Sequence, residues 1–188
     1  MEEIIEKLKK DPRNKAYTER GIGPIFQLNK DSKILIIGQA PGKKVEERGI
    51  LFADKSGENL VDWLGISMDD LHSKDYSIIP MDFYYPGKAK SGDKPPRKFI
   101  AEEYHPLILR QLENVRLTIL IGAYAQKYYL GDKFKKNLTE TVRNYKAYLP
   151  KYFPLVHPSP LNNRWMAKNP FFKEEVLPKL KEIIREIL

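Results

Sequence analysis

Apolar residues occur in four short, nearly continuous runs along the chain, and these runs predict β-strands. They lie at 33–37, 76–81, 117–122 and 152–157. Strands that are apolar at consecutive positions, rather than at alternate ones, are typical of a parallel sheet covered by helices on both faces. The pattern therefore predicts four buried, parallel strands.

The segments around these runs carry apolar residues at steps of three and four, which is the spacing of an amphipathic helix. Such spacing begins at Ile4, at Leu60, at Ile100, at Ala125 and at Phe172. Alternating strands and helices predict a three-layer α/β/α fold with a central four-stranded parallel sheet, in a single domain over 1–188. Pro106 is expected to break or restart its helix, and Pro178 to lie in the first turn of its helix or to kink it.

Four loops are expected to meet at one edge of this sheet. The segments that directly follow the strands are "GQAPG", "MDFYYPG", "GAYAQ" and "HPSPLNNRW". In sheets of this kind, ligands bind beyond the carboxyl ends of the strands. The candidate site therefore lies where these loops converge.

The amino-acid composition excludes several kinds of metal and cofactor site. The 188 residues include no cysteine, which excludes disulfides, zinc held by thiolates and an iron–sulfur cluster held by cysteine. Only three histidines are present, so we expect no metal and no cofactor. There is no apolar run of membrane-spanning length, and the start "MEEIIEKLKKD" lacks the pattern of a signal peptide. We expect a cytoplasmic monomer that does not bind membranes.

A formal net charge of +8 favours a polyanionic partner such as nucleic acid. Surfaces rich in lysine and glutamate are also common in proteins from hot environments, so charge alone leaves both interpretations open.

The loop "GQAPG" brackets a proline turn between Gly38 and Gly42, where the backbone can approach a ligand closely. A phosphate-binding P-loop needs four residues between its glycines, followed by Lys and then Ser or Thr. Here there are three, followed by Lys43 and Lys44. The spacing argues against a P-loop, and a plain strand-to-helix turn is the simpler alternative.

Three motifs together resemble the uracil-DNA glycosylase superfamily. "GQAPG" resembles the first motif of its cluster-bearing bacterial and archaeal branch, "LFADKSG" follows about ten residues later, and "HPSPL" matches the second motif of the best-known members letter for letter. The resemblance implies an enzyme that flips a base out of DNA and hydrolyses its bond to the sugar. Without cysteine, the chain would belong to a cluster-free branch.

The same resemblance implies roles for particular residues in binding the base. Gly38, Gln39 and Ala40 would present the loop to the edge of the base, and Gln39 would also take part in catalysis. Phe52 would stack on the flipped ring, although a core phenylalanine is the simpler alternative. His157 would donate a hydrogen bond to the base as negative charge develops on it.

Other residues are expected to contact DNA. Leu161 corresponds to the apolar wedge that fills the space left by the flipped base. Phosphate contacts are predicted for Ser159, Asn162, Arg164, Lys88 and Lys90. The two lysines belong to the stretch 86–98, which is rich in glycine, proline and basic residues and could equally be a solvated loop.

The chain departs from the family pattern at the residue that activates water. The best-known members carry an aspartate where this chain has Ala40, which can neither accept a proton nor orient a water molecule. Asp54, shortly after Phe52, is the predicted replacement, with Glu46 and Glu47 as further candidates.

A second departure concerns recognition of the base. Relatives read uracil with an asparagine after the second strand, whereas this chain offers Asp82. An ionised carboxylate accepts a hydrogen bond from N3–H but repels O4, so a base other than uracil becomes a candidate. The alternative is a structural Asp82 held in a salt bridge.

These observations predict a monofunctional DNA glycosylase that removes uracil or a related deaminated base from single- or double-stranded DNA in base excision repair. No lysine lies in a motif suited to Schiff-base attack. Two alternatives remain open. One is a catalytically weak or inactive DNA- or nucleotide-binding member of the same fold. The other is an α/β enzyme that acts on a phosphorylated small molecule through its glycine loop.

Overall fold

A computed structural model of the protein describes residues 2–188. Its centre is a parallel sheet of four strands in the order β2-β1-β3-β4. The strands are β1 (Ile34–Ile37), β2 (Tyr76–Ile78), β3 (Leu117–Ile121) and β4 (Tyr152–Leu155). Each predicted run contains one strand, so the sheet expected from the sequence is confirmed.

The α-helices surround this sheet. In chain order they are α1 (Glu2–Lys10), α2 (Lys15–Thr18), α3 (Lys43–Arg48), α4 (Lys55–Leu64), α5 (Met68–Leu71), α6 (His105–Leu109), α7 (Gly122–Leu130), α8 (Leu138–Arg143), α9 (Asn163–Lys168) and α10 (Leu177–Ile187). Short π-helical turns, Ile100–Tyr104 and Phe172–Val176, lead into α6 and α10.

The alternation of side chains along β1 divides the core into two halves. Ile34 and Ile36 pack on one face with residues of α4 and α10, and Leu35 and Ile37 pack on the other with residues of α1, α6 and α7. Because both faces of the strand are covered, every residue of β1 is buried. This arrangement confirms the three-layer α/β/α fold.

Prolines decide where several elements begin and end. Pro80 has no N–H to continue the ladder of β2, so this strand is shorter than the apolar run that predicts it. Pro154 is accommodated inside β4 because that strand lies at an edge of the sheet. Pro106 and Pro178 lie in the first turns of α6 and α10, where a missing N–H costs nothing, as predicted.

Candidate active site

A cleft of about 370 Å³ opens at the carboxyl ends of the strands. It is bounded by the loops after β1 and β4, by the start of α4 and by part of the stretch 86–98. Predicted site residues that line it are Gly38, Gln39, Ala40, Phe52, Asp54, Lys88, His157, Ser159 and Leu161. The loops after β1 and β4 meet as expected, whereas the segment "MDFYYPG" contributes only Pro86 and the segment "GAYAQ" contributes no lining residue.

A larger and more open depression of about 710 Å³ lies beside α1, away from the strand ends. Three of its charged side chains form ion pairs, because Arg13 bridges Asp11 at 2.6 Å and Glu103 at 2.7 Å. These pairs tie the segment after α1 to the π-helical turn before α6.

The "GQAPG" loop is fastened by its carbonyl groups. The carbonyl oxygens of Gly38 and Gln39 accept hydrogen bonds from the N–H groups of Met81 at 2.9 Å and Asp82 at 3.1 Å. Within residues 2–188, the N–H groups of Gln39 and Ala40 donate to no acceptor. The loop is thus held rigidly and keeps two backbone donors for a ligand.

Phe52 has an unusual backbone conformation. Its φ of 57° is the one positive value at a non-glycine position in the part of the chain that the structure describes. A Cβ added to Gly57 would collide with the Phe52 carbonyl oxygen, and one added to Gly38 would lie 3.8 Å from the tip of the Phe52 ring. Gly57 is therefore required for this conformation of Phe52, whereas a Cβ at Gly38 would make only an ordinary contact. The half-buried ring of Phe52 forms a wall of the cleft.

Asp54 caps the N-terminus of α4. Its Oδ1 accepts hydrogen bonds from the N–H groups of Ser56 at 3.0 Å and Gly57 at 3.3 Å. Its Oδ2 accepts none from the residues that the structure describes. Because Asp54 lines the cleft, this second oxygen remains available to a water molecule.

His157 is held as a neutral donor. The Ser159 N–H donates to its Nδ1 at 3.2 Å, so the hydrogen of the neutral ring lies on Nε2. Burial lowers the pKa of His157 below its ordinary value, and the nearby charge of Asp54 opposes this shift only in part. His157 is therefore neutral at pH 7, and its Nε2–H donates to no acceptor among residues 2–188.

The loop after β4 is fastened by two amide side chains. Asn162 donates to the carbonyl oxygen of His157 at 2.7 Å, and Asn59 donates to that of Pro158 at 2.7 Å. One N–H of the Asn162 amide therefore holds the loop, and phosphate contact by this residue stays a prediction. Ser159 caps the next turn by accepting from the Leu161 N–H at 3.3 Å.

Leu161 protrudes from this loop, with 90% of its surface exposed. An apolar side chain this exposed gains nothing from the core, which agrees with the wedge predicted for it. Arg164 is also exposed and follows on α9, outside the cleft.

Lys88 and Lys90 lie in a tight hairpin formed by part of the stretch 86–98. Lys88 lines the cleft and pairs with Asp93 at 3.4 Å. Lys90 is exposed and does not line the cleft. Phosphate contact by either lysine stays a prediction.

The structure corrects the base-reading role predicted for Asp82. This residue is completely buried, and both of its oxygens accept from the Arg97 guanidinium at 2.8 Å. The N–H groups of Tyr84 and Arg97 complete its hydrogen bonds. Asp82 has no oxygen left for a base and does not line the cleft, so its role is structural, as in the alternative considered from the sequence.

His105 supports the cleft from behind. Its Nε2 donates to the carbonyl oxygen of Pro80 at 3.0 Å, and its Nδ1 accepts from the Tyr129 hydroxyl at 2.6 Å. Burial lowers the pKa of His105 to about 4. The His105 Nε2 thus holds the segment after β2 at Pro80, and its Nδ1 fixes the ring to Tyr129 on α7.

Glu46 and Glu47 do not line the cleft. The Glu46 side chain is only 9% exposed and accepts from Arg20 at 3.3 Å, and Glu47 is exposed on α3. Among the three carboxylates considered for water activation, only Asp54 lies in the cleft.

Within residues 2–188, no group of three or more His, Asp or Glu side chains is arranged to hold a metal ion. In the same part of the chain, no helix is both long and apolar enough to cross a membrane.

Several residues of the site lack a strong signal in the sequence. Gly57 lies within the quoted "LFADKSG", but its contact with Phe52 depends on how α4 packs. Asp93 and Lys94 line the cleft from a stretch whose composition is that of a loop. A single acid in a basic segment is the one clue that could have singled out Asp93.

Comparison with known proteins agrees with this geometry. A solution NMR structure of a Methanosarcina acetivorans protein, provisionally named a uracil DNA glycosylase, matches with a TM-score of 0.52 at 12% identity, over 87% of this chain and 98% of that one. At this identity, the likeness shows the fold. The family model of the uracil DNA glycosylase superfamily matches residues 25–181, which is most of the chain. This protein therefore belongs to the uracil DNA glycosylase superfamily, and that membership supports a glycosylase-like function on DNA.

Proposed function

We propose that this protein is a monofunctional DNA glycosylase that hydrolyses the N-glycosidic bond of a deaminated base, in the first step of base excision repair. The main support for the proposal is that three groups line one cleft. They are the Nε2–H of His157, the Oδ2 of Asp54 and the ring of Phe52. Family membership supports the same class of reaction.

The geometry suits the departure of a base as an anion. When the bond between C1′ and the base nitrogen breaks, its electron pair stays on the base. The Nε2–H of His157 and the N–H groups of Gln39 and Ala40 are donors for that charge. A preorganised donor of this kind contributes about 3 kcal/mol to the transition state.

In the same reaction, a water molecule attacks C1′ of the sugar. Its oxygen joins C1′, and one of its protons passes to Oδ2 of Asp54, which has a free lone pair. Phe52 stacks on the extruded ring, and Leu161 enters the space left in the duplex. Asp54 thereby takes the role that Ala40 cannot fill.

A strand-cleavage assay tests this proposal. Labelled single- and double-stranded oligonucleotides carrying one uracil or one hypoxanthine are incubated with the protein and then treated with alkali, which breaks the chain at an abasic site. The matched control is the Asp54→Asn/His157→Ala double variant, purified in the same way to exclude a contaminating glycosylase. Cleavage by the wild type and not by the control supports the proposal.

One observation favours a second candidate, a binding protein of the same fold. Ala40 removes the acid on which the best-known members depend, and Asp54 is also explained as a helix cap. Binding of DNA that weakens steeply with salt, without excision of any base, would establish this alternative.

A further inference from the structure

The turn 49–53, between α3 and α4, carries an exposed apolar side chain beside the cleft. Leu51 and Phe52 of this turn line the cleft, whereas Ile50 does not line it and is 52% exposed. Single exposed apolar side chains are common on soluble proteins, so this exposure alone carries no conclusion. The rigidity of the turn and the charges around it show what Ile50 can contact.

Backbone groups hold the turn at both ends. Gly49 ends α3 with a φ of 71°, and its N–H donates to the carbonyl oxygen of Val45 at 2.8 Å. Nη1 of Arg48 donates to the carbonyl oxygen of Ala53 at 2.8 Å and thereby closes the turn. Ile50 is thus kept in solvent by a fixed backbone, although burial of its side chain would be favourable.

A second exposed aliphatic side chain lies on the other loop that borders the cleft. Leu161, in the loop after β4, is 90% exposed. Within residues 2–188, the one further large aliphatic side chain with high exposure is Leu188, which follows α10 and is 47% exposed. The exposed aliphatic surface is therefore concentrated where the two loops meet at the cleft.

The charges around Ile50 favour a polyanion as the partner of this surface. The helix α3, which leads into the turn, exposes Lys43, Lys44 and Arg48, against the one exposed acid Glu47. Positive charge of this kind attracts the phosphates of DNA. An apolar side chain among these cations is placed to touch the sugar or the base of a nucleotide whose phosphates they attract.

We propose that Ile50 is a second apolar contact with DNA. It packs against the nucleotide beside the extruded one, while Leu161 enters the space that the extruded base leaves. The inference rests on that part of the proposed function in which a base is drawn out of the duplex. Extrusion removes stacking from the neighbouring base pair, and an apolar side chain against that pair replaces part of the loss. Because the turn is already ordered, the contact costs little conformational entropy.

The test measures the dissociation constant for a duplex that carries a tetrahydrofuran analogue of an abasic site, at several salt concentrations. We expect Ile50→Ala to bind about 5-fold more weakly, because about half of an isoleucine side chain loses its apolar contact. The slope of log affinity against log salt should stay the same, since no phosphate contact is removed. Ile50→Leu, which keeps the apolar surface, and Leu188→Ala, the control away from the cleft, should stay within about 2-fold of the wild type.

Each other result overturns the inference. Wild-type affinity in Ile50→Ala shows that DNA does not touch this side chain, and loss of self-association in that variant instead assigns it to a contact between copies of the chain. A shallower salt slope shows that phosphate contacts were lost. An Ile50→Leu protein as weak as Ile50→Ala shows that apolar surface is not what DNA contacts. Urea denaturation checks the fold, and Ile50→Thr, which keeps the branched shape, replaces Ile50→Ala if that variant is unfolded.

The proposed function is judged separately, by excision of uracil and hypoxanthine. A wild type that binds the abasic duplex and excises neither base overturns the proposed function, and the affinities of the Ile50 variants still decide this inference. A wild type that excises a base while Ile50→Ala binds as tightly as it does overturns only the inference. A wild type without affinity for the duplex overturns the inference as well.

Discussion

Two pairs of acid and histidine lie near the strand ends, and their surroundings differ completely. Asp54 and His157 line the cleft, and each keeps one polar side-chain atom without a partner in the part of the chain that the structure describes. Asp82 and His105 spend both of their polar side-chain atoms on protein partners behind it. The same residue types thus line the cleft in one region and stabilise the fold in the other. The two pairs differ in whether a side-chain atom is left without a hydrogen bond.

Among the variants at these two pairs, Asp54→Asn is expected to have the largest effect on excision. We expect excision to slow by about 10²–10⁴-fold, because the amide cannot take a proton from water. The free energy of unfolding should change little, because asparagine caps helices as well as aspartate does. Single-turnover rates and urea denaturation measure the two effects. Glu46→Gln is the matched control, and the assignment is wrong if that variant is slow while Asp54→Asn is not.

The opposite result is expected for Asp82→Asn. Removing one partner of a buried ion pair leaves the Arg97 charge uncompensated, at a cost of about 3–5 kcal/mol in the free energy of unfolding. Asp75→Asn, which loses only the partly exposed pair with Lys33 at 3.8 Å, should cost less than about 1 kcal/mol. If the Asp82→Asn protein were stable and preferred a different base, Asp82 would have a role in base recognition and the structural assignment would be wrong.

His157→Ala tests the other member of the first pair. The loss of one donor to the departing base should slow excision by at least about 10²-fold. DNA binding at low salt should change little, since phosphate contacts dominate it. An excision rate equal to that of the wild type would remove His157 from the mechanism.

The pH dependence of stability tests the second pair. The folded state keeps His105 neutral down to a pKa of about 4, whereas the unfolded chain binds this proton near the ordinary value of about 6.5. The unfolded state therefore binds more protons between these values, so stability is lost as pH falls. From pH 6.5 to pH 5 the expected loss is about 2 kcal/mol.

Burial also lowers the pKa of His72 and His157, which adds to the loss in the same direction. Urea denaturation at several pH values measures the total. Stability that is constant over this range would show that His105 is not held neutral.

Much of the fold followed from local pattern. The run at 33–37 is apolar at every position except the first, and β1 is buried at every residue. Pro106 and Pro178 lie in the first turns of α6 and α10, directly after π-helical turns, because a residue without an N–H disrupts the interior of an α-helix. The end of β2 was less clear, since the run at 76–81 continues past Pro80 to Met81 and the strand ends at Ile78.

The site was predictable where a rigid local motif carries it. His157 and Leu161 lie on a proline-stiffened loop, so their positions beside the cleft follow from a few neighbouring residues. Asp82 was ambiguous because its partner, Arg97, is fifteen residues away. The bond from Asn162 to the His157 carbonyl could not be predicted, because it depends on how the loop folds back.

The sequence by itself determined the strands, the helices and the edge of the sheet where the loops meet, because apolar spacing and proline chemistry act over a few residues. Only the tertiary structure decided which polar atoms remain free. Within residues 2–188, Oδ2 of Asp54 accepts no hydrogen bond, whereas both oxygens of Asp82 accept two each. Hydrogen bonds are satisfied in three dimensions, often by residues distant in the chain, so no local pattern records which ones are left over.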